Sequence, residues 1–238
     1  MAKKRRIILA LDVSSNSRAL RLAELLRDEI AFVKVGLQAF TACGPSLVGD
    51  LVSIGVKVFL DLKLHDIPNT AAQAAGEAVR LGCSMMTLHI FGGLKMLSTV
   101  RLHVDEIAKE IGQVSPRLLG VTILTSLDKK DLTRVGVSGN IETSVRKLAH
   151  LALEAGLDGV VTSPRELGYL GEAPLDQLLR VTPGVRPRNS SSDDQSRVMT
   201  PIEAIQAGAN YLVIGRPIIS HNDPLKAARR INQDLESF

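Results

Sequence analysis

Short apolar runs rich in Ile, Val and Leu alternate with longer stretches of helical periodicity along the whole chain. Segments 6–11, 31–35, 56–62, 84–89, 118–124, 159–161, 179–182 and 211–214 read as strands. Helices are expected between them over 17–28, 45–54, 69–81, 94–111, 141–155 and 201–207, with a closing helix over 224–235. Most of these start at or just after Ser, Asn or Pro, which suit a helix N-terminus. Gly82, Gly156 and Gly208 each precede a new apolar run, as expected where a left-handed residue closes a helix before the next strand.

Eight strand-helix units with mostly buried strands predict α/β architecture with a closed parallel sheet, the (β/α)8 or TIM barrel. An open doubly wound sheet is disfavoured, since no Gly-x-Gly-x-x-Gly follows the first strand. The 238 residues fit one such barrel, which typically takes about 250. No Pro/Ser-rich or charge-block linker divides the chain, so residues 1–238 are read as a single domain.

Composition narrows the function classes. The net charge of +4 is matched by Lys3, Lys4, Arg5 and Arg6 alone, leaving the rest near neutral. With 3% aromatics and no basic stripe, a nucleic-acid surface is not expected. Cys43 and Cys83 lack metal-ligand spacing and point to a reducing compartment. No apolar run approaches the roughly 18 residues of a membrane span, and the basic start leads into no signal-peptide core. A cytoplasmic protein is expected. The five histidines show no ligand spacing, so no metal site is expected.

In a barrel of this kind chemistry sits at the C-terminal ends of the strands. Asp12 ends the first apolar run, Lys34 lies inside the second, and Asp61 and Lys63 end the third. Side chains alternate faces along a strand, so Asp61 and Lys63 share one side while Leu60 and Leu62 take the other. A charge buried there without a partner would cost several kcal/mol, which implies pairing with each other or with a ligand. An ion-pair lattice bracing the barrel mouth is the plain alternative. Four ionisable groups on three successive strand ends favour a site. Gly215 and Arg216 follow the last strand, where barrels commonly hold phosphate: the glycine admits close backbone approach and the guanidinium matches phosphate oxygens. The polar segment 186–198 reads as a loop able to close over a ligand.

The run Asp61-Leu62-Lys63-Leu64-His65-Asp66-Ile67-Pro68-Asn69-Thr70 resembles the signature of orotidine 5′-phosphate decarboxylases. Ala10-Leu11-Asp12, Lys34-Val35-Gly36, Leu124-Thr125-Ser126, Gly156-Leu157-Asp158-Gly159, Val181-Thr182-Pro183-Gly184-Val185-Arg186-Pro187 and Val213-Ile214-Gly215-Arg216-Pro217 follow in that family's order and spacing. The likeness covers nearly the whole chain. One local departure, His89-Ile90-Phe91-Gly92-Gly93, carries bulkier residues between the His and the glycine pair than the family pattern leads one to expect.

This resemblance implies conversion of orotidine monophosphate to UMP and CO2, without cofactor or metal. Lys63 would protonate C6, Asp61 would lie beside the substrate carboxylate, and Lys34 and Asp66 would complete an alternating Lys-Asp-Lys-Asp array. Asp12 and Lys34 would bind ribose hydroxyls, and Thr125 and Ser126 the ribose side and the pyrimidine amide. Pro183, Arg186, Gly215 and Arg216 are further substrate-binding candidates, with Gln195 in the gripping position of the loop. Asp66, Ile67 and Thr70 would enter the partner's site across a two-fold homodimer. His65, inside the signature, is expected to face outward in a structural role. Two other readings stand beside this one. A sugar-phosphate decarboxylase or aldolase of the 3-keto-gulonate phosphate type shares the Asp-x-Lys-x-x-Asp pattern but uses Mg2+. A non-catalytic phosphate-binding barrel would bind without turnover.

Overall fold

The computed structural model describes residues 5–186 and 199–237. Eight parallel strands pair in sequence order and the last closes on the first: β1 (Ile7–Ala10), β2 (Phe32–Gly36), β3 (Val58–Leu64), β4 (Met85–His89), β5 (Arg117–Val121), β6 (Gly159–Val161), β7 (Leu179–Thr182) and β8 (Tyr211–Ile214). The expected (β/α)8 barrel is the fold found. Around it run α1 (Asn16–Leu26), α2 (Leu37–Cys43), α3 (Ser46–Ser53), α4 (Pro68–Arg80), α5 (Gly93–Glu110), α6 (Lys129–Arg134), α7 (Ile141–Glu154), α8 (Pro201–Gln206), α9 (Arg216–Ile219) and α10 (Pro224–Glu236).

Several boundaries differ from expectation. β3 runs on to Leu64, whereas β5 stops at Val121, three residues before the end of its apolar run. The short helices α2, α6 and α9 were not anticipated, because four to seven residues make too few turns to print a period on the sequence. Helix starts follow the expected chemistry. The Ser15 and Asn140 side chains accept the backbone N–H of Arg18 and Thr143, and Pro68, Pro201 and Pro224 open their helices. Gly82, Gly156 and Gly208 all have positive φ, as the helix-closing role requires.

Strand alternation sorts the core into two layers. Outward residues such as Ile7, Leu9, Val33, Leu60, Met86 and Leu88 pack under the helices in the larger cluster. Inward residues Ile8, Phe32, Phe59, Met85, Leu119 and Val181 form a second cluster that fills the barrel interior. The Phe32 ring meets Tyr211 edge-on, with centroids 5.5 Å apart. Two residues further along each strand, the next inward positions are Ala10, Lys34, Asp61, Thr87 and Val121. The apolar plug thus forms the floor, and the polar layer lies immediately above it at the C-terminal ends. Both cysteines are free thiols. Burial pushes the Cys83 thiol up to about 12, leaving it an inert packing residue.

Candidate active site

The four strand-end charges meet. The Lys34 side chain is 11% exposed, and its Nζ lies 3.5 Å from Asp12 Oδ1 and 3.5 Å from Asp61 Oδ2. Asp61, 13% exposed, receives the Lys63 ammonium on its other oxygen at 2.9 Å. The order in space is Asp12, Lys34, Asp61, Lys63, with signs alternating and net charge zero. At 3.5 Å the buried Lys34–Asp61 pair is worth roughly 5 kcal/mol at an effective dielectric near 20, and the contact with the half-exposed Asp12 less. Taking each ion out of water costs several kcal/mol. The buried Lys34 and Asp61 are tolerable only because their partners are present.

The array expected from the resemblance ran Lys34, Asp61, Lys63, Asp66. Within one chain Asp12 stands at the outer end beside Lys34, and Asp66, expected in the partner's site, lies apart from the cluster. Asp66 is exposed, and its carboxylate accepts the backbone N–H of Ile67 at 2.7 Å. The chain has already left the strand there, so a carboxylate three residues beyond Lys63 turns onto its own loop.

Asp61 and Lys63 share a side as the two-residue period requires, but a regular strand is only part of the reason. Leu60 pairs with Met86 and Leu64 with Leu88, so Asp61, Leu62 and Lys63 together face the single residue Thr87 on β4. Lys63 absorbs the excess chain with φ of 53°, the one positive value at a non-glycine among the described residues. Such a backbone costs on the order of 1–2 kcal/mol in an L-residue. Thr87, fully buried, donates from Oγ1 to Asp61 Oδ1 at 3.0 Å and accepts the Lys63 backbone N–H at 2.9 Å. Sequence reading missed Thr87. Its only signal was a hydroxyl at an inward position, two residues after Met85.

Above the charges opens a cavity of about 290 Å³. Asp12, Lys34, Asp61, Lys63, Thr125, Pro183, Arg186, Gly215 and Arg216 all line it, as do Phe59, Ile123, Val161, Thr162 and Val213, which sequence reading did not single out. Apolar walls with a few convergent polar groups are the usual make-up of a small-molecule site. Gly215 is held close: a Cβ there would lie 3.2 Å from Ala10 Cβ and 3.5 Å from Asp12 Oδ2. Arg216 is exposed at the rim.

Ser126 is exposed and is not among the lining residues. Asp66, Ile67 and Thr70 are exposed and also lie outside the cavity, Ile67 with 67% of its surface open. Gln195 falls outside the described residues. A larger open groove of about 1200 Å³ lies across the opposite end of the barrel, lined by residues such as Arg5, Lys57, Arg117 and Arg229. That is the end where barrels of this type carry stability rather than chemistry.

Beside the cluster, His65 stacks on His89 with ring centroids 5.3 Å apart, and His89 leans on Phe91 at 5.5 Å. His65 is exposed and does not line the cavity, in keeping with its expected outward role. Burial, reinforced by the charges of His65 and Lys63, holds His89 below the usual histidine range. The bulky pair in the departing segment is accommodated on both sides of the chain, with Ile90 fully buried and Phe91 43% exposed. Among the described residues, no group of three or more His, Cys, Asp or Glu side chains is disposed to hold a metal ion. No helix among them is long and apolar enough to cross a membrane.

Comparison with known proteins agrees with this geometry. Residues 5–231 match the model of the orotidine 5′-phosphate decarboxylase / HUMPS family. The chain is 48% identical over 232 residues to the orotidine 5′-phosphate decarboxylase of Pelobacter propionicus, covering 98% of this chain and 95% of that protein. It is 47% identical over 237 residues to the enzyme of that name from Moorella thermoacetica, covering 99% and 94%. The crystal structure of orotidine 5′-phosphate decarboxylase from Lactobacillus acidophilus superposes with a TM-score of 0.84 at 35% identity, over 97% of this chain and 99% of that one. With signature, barrel and cavity in agreement, the chain belongs to the orotidine 5′-phosphate decarboxylase / HUMPS family.

Proposed function

We propose that this protein decarboxylates orotidine 5′-phosphate to UMP, the last step of de novo pyrimidine nucleotide synthesis. The observation that carries the reading is the Asp61 carboxylate held between the Lys34 and Lys63 ammoniums on the floor of a cavity rimmed by Arg216. In the reaction the bond from C6 to the carboxylate breaks, its electron pair stays on C6, and CO2 leaves. Lys63 gives its proton to C6 and is reprotonated from solvent. A substrate carboxylate about 4 Å from Asp61 would be repelled by roughly 4 kcal/mol at an effective dielectric near 20, before the lysines reduce it. Stabilisation of the developing carbanion by Lys63 is the larger contribution, because it acts on the transition state directly.

In this reading Asp12 and Lys34 hold the ribose hydroxyls, and Thr125 and Ser126 the ribose side and the pyrimidine amide. Gly215, Arg216, Arg186, Pro183 and Gln195 surround the phosphate end. Asp66, Ile67 and Thr70 complete the partner's site in a two-fold homodimer. Their exposure outside their own cavity supports that assignment. A protein that sediments as a monomer with full turnover contradicts it. The free thiols suit the cytoplasm.

The test is incubation of purified protein with orotidine monophosphate after EDTA treatment. UMP should form at an undiminished rate. No conversion overturns the reading, and complete metal dependence favours the Mg2+-dependent sugar-phosphate enzymes.

A further inference from the structure

Thr87 ties the two central charges of the site to each other. The inward side chain on β4 just above the apolar floor is a fully buried hydroxyl, and it sits where the β3–β4 ladder is interrupted. Parallel strands normally satisfy a backbone N–H with a neighbour's carbonyl. Opposite Thr87 three residues of β3 compete for the space of one, and the Lys63 N–H turns to the Thr87 hydroxyl instead, at 2.9 Å. A hydroxyl has one proton to donate. Here it goes to Asp61 Oδ1 at 3.0 Å, the same oxygen that receives Lys63 Nζ at 2.9 Å.

The result is a closed ring. The Lys63 N–H donates to Thr87, Thr87 donates to Asp61, and Asp61 accepts the Lys63 ammonium. Both ends of the Lys63 residue are therefore referred to one carboxylate oxygen. The left-handed backbone at Lys63 offers no support of its own, since this conformation is disfavoured for any side chain but glycine. We propose that Thr87 is a positioning residue, which fixes the Asp61 carboxylate and the strained Lys63 backbone so that the ammonium points at the reacting carbon. The inference rests on the decarboxylase reading for its kinetic consequence, though not for the hydrogen-bonded ring itself.

Valine replaces the hydroxyl with a methyl of similar size, leaving both the Lys63 N–H and one position on Asp61 unsatisfied. A hydrogen bond to a charged group typically contributes enough to change a rate roughly tenfold to a hundredfold. Thr87→Val should therefore lower kcat by about that factor, with KM and the affinity for UMP changed by less than about threefold. Thr87→Ser, which keeps the hydroxyl and drops the methyl, should recover kcat to within about threefold of the parent. Thr87→Ala carries the same expectation as valine and serves if the valine variant does not fold.

Hydrogen exchange at the Lys63 amide gives a second measurement, independent of turnover. It should quicken at least about tenfold in Thr87→Val and remain slow in Thr87→Ser. A parent protein inactive on orotidine monophosphate would refute the functional reading, while amide exchange would still test the ring. The positioning role is overturned by a valine variant with kcat near the parent's, by a serine variant as slow as valine, or by a kcat loss matched by loss of UMP binding. Unchanged Lys63 exchange in the valine variant overturns it as well.

Discussion

Gly36→Ala should separate the placement of the Lys34 ammonium from the stability of the barrel. Gly36 has φ of −97° and ψ of −175°, a conformation open to any residue, so the backbone accepts alanine. Space is the difficulty: a Cβ at this position would lie 2.7 Å from Lys34 Nζ. The ammonium must retreat by ~0.8 Å to reach an ordinary contact of ~3.5 Å. If its distance to Asp61 grows from 3.5 Å to about 4.3 Å, the pair weakens from about 4.7 to about 3.9 kcal/mol at an effective dielectric near 20. The contact with Asp12 adds less, because that side chain is 48% exposed and screened by water. A loss close to 1 kcal/mol corresponds to roughly a fivefold fall in kcat/KM for orotidine monophosphate. Since the displaced atom ends a flexible side chain, the melting temperature should fall by no more than about 4 °C. Steady-state decarboxylation and a thermal melt on the same preparation decide the matter. Activity within about 1.5-fold of the parent would show that the position of Lys34 Nζ is immaterial. A fall in melting temperature beyond about 8 °C would make Gly36 a packing glycine instead.

Lys63→Ala should abolish turnover while calorimetry still records UMP binding; near-normal turnover removes Lys63 from the proton-donor role. Arg216→Ala should raise KM strongly for orotidine monophosphate and little for the phosphate-free nucleoside, and equal effects on both would reject the phosphate assignment. His89 carries a pH signature. Its folded value is depressed by burial and then by the charges of His65 and Lys63, so above about pH 6.5 it is neutral in both the folded and the unfolded chain. As pH falls below that, the unfolded chain takes up the proton first, and stability declines until pH passes the depressed folded value. Urea midpoints at about pH 7.5 and about pH 5.5 should therefore draw apart less in His89→Gln than in the parent. An equal separation in both would refute this linkage.

Much of this molecule can be read along the chain, because the two signals that mattered are local. Strand periodicity and β-branched runs mark all eight strands. A charge inside an apolar strand is conspicuous wherever it occurs, which is why Asp12, Lys34, Asp61 and Lys63 stood out before any fold was known. Alternation also predicts that Lys34 stands above Phe32 and Asp61 above Phe59 on the inner face. Short range is also the limit of these signals. The Leu124 end expected for the fifth strand was an apolar run that the chain leaves at Val121 to form the cavity wall, and apolarity does not distinguish a strand from a wall.

Relations between strands required the tertiary structure. Pairing of Leu60 with Met86 and of Leu64 with Leu88 squeezes three residues against one, and that mismatch gives Lys63 its left-handed backbone. Thr87 acquires meaning only from this register, since a lone threonine in a strand is ordinary. Among Asp12, Lys34, Asp61, Lys63 and Asp66, nothing in the spacing says that the first lies against Lys34. Pairing of β1 with β2 brings Asp12 to Lys34, while the turn after Leu64 carries Asp66 outward. Sequence determined which ionisable groups a folded barrel would have to neutralise. The packing of neighbouring strands decided which of them neutralise one another, because Coulomb energy depends on distances that only the paired strands set.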